Sequence, residues 1–455
     1  MSMQGSGLVP QPQAYDTREA GASRFQRWQV MGAVVLVAFL TILARVGISG
    51  AKVEMAHDLG IGDLAFGMVF GAFALGYAAF MIPAGAMADR WGPRKSLTLS
   101  VFLWSLFTLC TGLVVGVTVL IVVRLLFGLA EAGVFPQATR ALHNWTLPGE
   151  RGVALGLLNM GSRLGAALGL TLTPLCVAWV GWRASFAGLG VVGVLWSGIW
   201  FVWFRDLPGP KPAAVPTGTT RAEGEVEQSK RNSPIPWRAF LHSRNFYLIL
   251  YQYFACNFTF FLCFSWLLPF LRAHYAISAG QAGLYASVPL YCGVVATWSG
   301  GWAVDRIYKT GRWRLSRALP AFLGFGLAIA TLLAAPFMPS AGYFVACFAL
   351  TTVGVDFTLG SSWTVCCDVG GTCSGMLSAA MNTLGAMGSL ASSLLFPLLV
   401  GRSGRVGTYF CLAALLNIIA VVCWKYIEPE RGLGPEETPG ASDVVNQRED
   451  AAASG

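Results

Sequence analysis

Charged residues are spread unevenly along the chain. Uncharged runs fall at 28–44, 64–88, 96–123, 164–182, 184–204, 245–271, 273–304, 318–355, 369–401 and 406–424. Most reach the roughly 20 residues that an α-helix needs to cross a bilayer's hydrocarbon. The run at 318–355 is too long for one crossing and carries Pro336 and Pro339, so it reads as two helices joined by a short turn. Residues 125–139 make a further span despite Glu131, and the span holding Arg163 begins near 152. The pattern predicts an all-α polytopic membrane protein of twelve transmembrane helices, at 29–50, 64–88, 96–115, 118–140, 152–179, 184–204, 245–271, 280–304, 318–335, 341–367, 372–401 and 406–426.

Composition points the same way. Of 455 residues only 12% are charged and 55% are apolar, whereas soluble domains carry about 25% charged residues. Too few polar side chains remain to coat a soluble protein of this size, which excludes a soluble enzyme, a nucleic-acid binder and a disordered chain. The net charge of +9 has a topological origin. With the N-terminus inside, only Lys52, Arg183, Arg272, Arg402 and Arg405 fall in outer segments, and most other Lys and Arg fall in inner ones. That is the positive-inside bias, and it predicts that both termini are cytoplasmic. The lipid bilayer is then the expected partner surface, with no nucleic acid involved. The eleven cysteines are scattered, mostly inside spans, and lack metal-ligand spacing.

The chain divides in its middle. Residues 205–243 are Pro-, Thr- and charge-rich and read as a cytoplasmic linker between a bundle at 29–204 and a second bundle at 244–426. Residues 1–28 form a polar tail without the features of a cleaved signal, and 427–455 form an acidic, Gly/Pro-rich disordered tail.

A repeat supports the division. Gly85, Asp89 and Arg90 shifted by 216 positions land on Gly301, Asp305 and Arg306, at the same point of each half. The first copy continues through Gly92, Arg94 and Lys95. This resembles the inner-loop signature GxxxDRxGRR of the major facilitator superfamily. Gly permits close helix approach. Asp89, Arg90, Arg94, Asp305 and Arg306 are expected to form inter-helix charge pairs that latch the inner face, so that the halves rock about a midplane site.

A charge at mid-bilayer costs at least about 2.5–3.5 kcal/mol, so each one demands a reason. Arg45 and Arg124 fall at similar heights, and Glu131 is two turns from Arg124 on nearly the same face. An Arg124–Glu131 pair serving packing alone is the alternative to a functional role. Arg163, on the small-residue face Gly161–Gly165–Gly169, is either a third anion contact or a partner of Glu131. Asp356, among Thr and Ser, is either a second proton site or a hydrogen-bonded structural acid, and Asp368 reads as a solvated charge at a span end. Asn257 and Asn382 fall near the midplane, where a buried amide must be paired; inter-helix glue or recognition of substrate hydroxyls would do it, and recognition is the expectation. No histidine is positioned as a membrane proton relay.

Several stretches together resemble the anion:cation symporter family. They are Arg124-Leu-Leu-Phe-Gly128-Leu-Ala-Glu131 running on to Pro136, Arg45 in LARVGISGA, Tyr77 six residues before Pro83, and residues 363–388. That family includes bacterial galactonate, glucarate and hexuronate transporters and is related to sialin and the vesicular glutamate transporters. The resemblance implies that Arg45 and Arg124 handle a carboxylate, that Glu131 carries the coupling proton, and that Tyr77 and Asn382 contact the polar body of the substrate. Ala44 precedes Arg45 where many sugar-acid members have Asp, as an apolar residue does in the sialin-like branch.

The residues alone point to anions. Guanidinium offers a planar fork that matches a carboxylate. Three intramembrane arginines against two carboxylates leave a positive cavity, which an anion neutralises and a cation avoids. The expectation is a monomeric, proton-coupled importer of a small organic anion, a sugar acid or another hydroxylated carboxylate, in the cell membrane. No cofactor or metal is expected, and the coupling ion is H+. The alternatives are a proton-independent anion exchanger or uniporter, and a metabolite or drug exporter. An enzyme is not expected, because no catalytic motif appears.

Overall fold

The computed structural model describes residues 23–206, 237–265, 267, 270–271, 275, 279–403 and 406–432. The expected linker and both tails lie largely outside these residues. Regular structure among the described residues is helical throughout. In chain order the helices are α1 (Arg24–Gly50), α2 (Lys52–Leu59), α3 (Asp63–Leu113), α4 (Val117–Glu131), α5 (Val134–Trp145), α6 (Arg151–Trp203), α7 (Trp237–His242) and α8 (Arg244–Ser265). They continue with α9 (Ala279–Tyr308), α10 (Trp313–Ala334), α11 (Ala341–Phe357), α12 (Leu359–Gly370), α13 (Ser374–Ser403) and α14 (Val406–Tyr426).

Two helices are far longer than a membrane is thick. At 1.5 Å per residue α3 and α6 would each run roughly 75–80 Å, against about 30 Å of hydrocarbon. Each bends at one glycine in the left-handed region, Gly92 at φ 78° and Gly181 at φ 78°. These bends fall in the two gaps that the charge pattern leaves between spans. Gly92 is held from outside as well. The Asp206 carboxylate lies where a side chain at 92 would go, and it accepts the Arg94 amide at 2.7 Å. The turn is thus clasped by the end of α6, and the neighbouring spans meet with no slack loop between them.

Two other spans are broken where the sequence pattern shows one helix. The span expected at 118–140 divides into α4 and α5 after Glu131 and runs on to Trp145. Pro136 has no amide to give the Ala132 carbonyl, and Gly133 weakens the same turn. The span expected at 341–367 divides into α11 and α12 at Thr358, whose hydroxyl and amide both bond the Val355 carbonyl, at 2.7 and 3.2 Å. That tightened turn starves the regular i→i−4 pattern. Each break follows close on a buried acid, Glu131 in one half and Asp356 in the other.

The short helix α2 was not expected. It stands at the end opposite Asp89 and Asp305 and is stopped by Gly60 in the left-handed region. Trp182 and Arg183 both donate to Asp58, which ties α2 to the α6 bend and holds the Asp58 carboxyl below its usual range.

Within the first half α1 packs on α6, and α3 packs on α4 and α6; within the second, α8 packs on α13 and α14, α9 on α11, and α10 on α11 and α14. The halves meet along two seams, α3 against α13 and α6 against α9. Both seams are tightest at the end carrying Asp89 and Asp305, called the gate end below.

Candidate functional site

In the first half, α1, α3 and α4 bring the expected residues together. Arg45 from α1 grips Glu131 from α4, its Nε 2.6 Å and its Nη2 2.5 Å from Oε1. The Glu131 side chain is fully buried and the Arg45 side chain 26% exposed. The second carboxylate oxygen, Oε2, is buried with no hydrogen-bond partner. The Arg45 guanidinium also lies 4.6 Å from the Tyr77 ring centroid and 5.2 Å from that of Phe73.

Arg124 is only 2% exposed, and its Nε has no hydrogen-bond partner. Its guanidinium lies 5.2 Å from the Phe73 ring and 4.4 Å from the Phe127 ring. Among the described residues it has no ion-pair partner. The expected alternative of an Arg124–Glu131 packing pair is therefore corrected. Seven residues on one helix are too far apart for contact, and Arg45 comes from another helix to take the acid. Phe73, which sequence reasoning missed, stands between the two arginines. An apolar residue one turn before a polar one carries no signal in one sequence.

Asn382 of α13 donates to the Tyr77 hydroxyl at 3.2 Å and so joins the halves beside this cluster. Asn257 is not brought to it. Its amide bonds the Tyr253 carbonyl of its own helix at 3.0 Å, facing Gly385 of α13. Arg163 does not pair with Glu131. Its Nε and Nη2 donate to the Asp356 carboxylate at 3.0 and 2.6 Å, across the two halves.

At the gate end the two repeated acids do the same work in exchange. Asp89, on α3, accepts the Gly375 and Met376 amides at the start of α13, at 3.0 and 2.8 Å. Asp305, on α9, accepts the Gly152 and Val153 amides at the start of α6, at 2.8 and 2.6 Å. Each acid therefore caps a helix of the opposite half, where orphan amides and the helix dipole favour negative charge. Gly152 and Gly301 back each other so closely that no side chain fits at either, and a Cβ at Gly85 would meet the Gly375 carbonyl at 2.7 Å.

The expectation of Asp–Arg latch pairs needs correction on this point. Arg90 and Arg306 are exposed, and Arg94 bonds the Phe201 carbonyl within its own half. The cation at the gate is Arg140, 3.8 Å from Asp89, which also donates to the Gly371 carbonyl at 2.8 Å. Asp368 is not solvated. It is buried between Arg151 of the first half at 3.2 Å and Arg317 of the second at 2.8 Å, and the Trp313 indole donates to it at 3.3 Å. Above the gate Phe135 packs on Trp363 across the halves, with ring centroids 6.2 Å apart. The gate end is closed.

The arrangement is that of a carrier: a buried cationic cluster in one half, joined to the other by the Asn382–Tyr77 bond, and a gate end where caps seal the halves together. Comparison with known proteins agrees. Residues 34–393 match the model of the Major Facilitator Superfamily. The chain is 30% identical over 407 residues to a probable sulfoacetate transporter, SauU, of Cupriavidus necator, covering 89% of this chain and 94% of that one. It is 27% identical over 427 residues to a probable galactarate/D-glucarate transporter, GudP, of Bacillus subtilis, covering 89% and 92%. A solved proton:xylose symporter, XylE, superposes with TM-score 0.71 at 12% identity, covering 90% and 97%. The outward-conformation structure of FucP superposes with TM-score 0.68 at 11% identity, covering 88% and 98%. Those two likenesses establish the fold. With the family model matched over most of its length and with organic-anion carriers among its relatives, the chain is a multi-pass membrane transporter and belongs to the Major Facilitator Superfamily.

Proposed function

We propose that the protein is a proton-coupled symporter of a small organic anion, with twelve spans, both termini and the gate end cytoplasmic, working by alternating access. The observation that carries this reading is Arg124. A guanidinium almost wholly out of water with no acid to pair it is a costly arrangement, and a transported anion supplies the missing charge. Arg45 stands beside it, a quarter exposed and already holding one carboxylate, that of Glu131.

The cycle follows from that competition. An anion entering from the outer side binds Arg124 and draws Arg45 from Glu131. A buried carboxylate that has lost its cation takes a proton rather than stay charged. Anion and proton thus favour each other's binding, which is what symport requires. Tyr77, stacked on Arg45 and bonded by Asn382, is suited to report occupancy to the other half. The basic residues near the gate end fit a cytoplasmic orientation. The names of the curated relatives suggest a carboxylate that also carries hydroxyl or sulfonate groups.

The test is uptake into proteoliposomes under an imposed proton gradient, with sulfoacetate, galactonate, glucarate and a hexuronate as candidates. Accumulation of at least one, driven by the gradient and competed by the others, is expected. Accumulation that ignores the gradient would leave an exchanger or uniporter.

A further inference from the structure

On the α6 side the halves touch along one stripe. Gly152 and Val153 bond Asp305, Gly156 lies against Thr297 and Gly301, and Arg163 reaches Asp356. Gly161 and Gly165 face the other way, onto Val35 and Phe39 of α1. Arg163 stands about 17 Å along α6 from Gly152. On the α3 side the matching stripe runs from Asp89 through Gly85 and Met81 to Tyr77. That stripe ends in the neutral Tyr77–Asn382 bond. The α6 stripe ends in an ion pair.

This pair is buried more deeply than a surface tie. The Asp356 side chain is fully buried and that of Arg163 17% exposed. The guanidinium also lies 3.6 Å from the Phe260 ring centroid, so the arginine of one half is seated inside the other. Around Asp356 the titratable groups are Arg163 from α6 and Cys256 from α8, with Tyr253 beside Arg163. From α9 the acid meets Gly293, and α10 packs on α11 at Gly324, neither of which titrates.

When the gate end opens, both stripes come apart. Parting Tyr77 from Asn382 strands only neutral groups. Parting Arg163 from Asp356 strands a buried charge on each half, among the costliest single changes a protein can make. A proton on Asp356 removes one of those charges, and an anionic oxygen at Arg163 answers the other. We propose that Asp356 is a second proton-binding site and Arg163 a second anion contact, both engaged only as the halves part. The proton comes from the outer side, adds to the Asp356 carboxylate as the pair breaks, and leaves to the water at the opened gate end before the pair re-forms. The proposal rests on the anion-symport reading and adds a site to it.

The test is double electron–electron resonance between spin labels at Lys95 and Thr310, exposed residues of opposite halves at the gate end. It uses full-length, cysteine-depleted protein in lipid nanodiscs across a range of pH, without substrate. In a Glu131→Gln background acidification is expected still to lengthen the gate distance. Adding Asp356→Asn should leave the distance long and flat with pH. A Glu131→Gln gate indifferent to pH overturns the proposal, and so does a pH response that survives Asp356→Asn unchanged. If Asp356→Asn does not insert, Arg163→Gln keeps the acid and removes its cation. Its response should then move to higher pH, because protonation no longer has to displace a guanidinium, and an unmoved midpoint overturns the site. Sulfoacetate is the probe for the anion arm: it should shift the gate in wild type and shift it less in Arg163→Gln, and equal shifts remove Arg163 as a contact. Failure of the symport reading itself is seen elsewhere, in wild-type proteoliposomes that accumulate none of the anions under a proton gradient.

Discussion

Arg45 and Glu131, 86 residues apart in the chain, hold each other in an ion pair of 2.5 Å whose acid is fully buried and whose base is partly open. In the proposed cycle the exposed partner is the one an anion reaches, and the hidden partner is the one that then takes a proton. Order of events is built into the burial.

Arg45→Lys keeps the charge but loses the planar fork that spans two carboxylates at once. A lost charge-assisted bond is worth about 1.5–3 kcal/mol, so transport should fall roughly ten- to a hundredfold while membrane insertion is unchanged. Near-native uptake by this variant would leave Arg45 a packing role.

Glu131→Gln stands in for the protonated acid. Counterflow exchange of anion should persist, and accumulation driven by a pH jump should fall well below wild type, with only the Asp356 proton left to drive it. A variant that concentrates anion as strongly as wild type locates the coupling at another group.

The reciprocal caps predict matched phenotypes. Asp89→Asn and Asp305→Asn each remove one acceptor oxygen and the charge that faces a helix start, about 1–2 kcal/mol together. Either change should raise the gate-open population roughly 5–30-fold, read as accessibility of a cysteine introduced beside the gate. A response to one substitution and not the other would break the symmetry.

Gly301→Val tests closure directly. A Cβ at 301 would meet the Gly156 Cα at 3.1 Å and the Gly152 backbone closer still, so the gate end cannot shut. Transport should be lost, with the gate cysteine labelled as strongly as in the caps' variants. Normal uptake would mean that the closed contact is not visited in the cycle.

The Asp58 clip has a defined pH window. Its carboxyl is held below the usual range by Arg183 and Trp182, so the clip is present above the ordinary carboxylate pKa of about 4 and fails as pH drops below that. Hydrogen exchange of α2 should be flat through neutral pH and rise only in acid. A rise that tracks histidine titration would assign the hold to His57.

Much of this was legible in one sequence because membranes simplify the code. A charge inside an apolar run is conspicuous, so Arg45, Arg124, Glu131, Arg163 and Asp356 stood out, and the paired Gly and Asp motifs marked the gate. Partnership was not legible. Nothing along a helix tells Glu131 that its cation is Arg45, or Arg163 that its acid lies in the other half. Asp368 looked like a solvated end because Arg151 and Arg317 reach it only after folding. Arg140 passed as one more positive-inside charge, and Asn257 looked equivalent to Asn382 because height in the bilayer is readable and azimuth toward a partner is not.

The caps at the gate end have a kinetic meaning. Each is a carboxylate holding backbone amides at the gate end, and water satisfies both sides of such a bond nearly as well. Opening there exchanges one set of partners for another and leaves nothing stranded, so the joint is lubricated by its own solvent. The midplane has no such lubricant. The slow step of turnover should therefore belong to the dry ion pair near the middle of the bilayer, and substrates that carry their own replacement charges should be the ones that make the carrier fast.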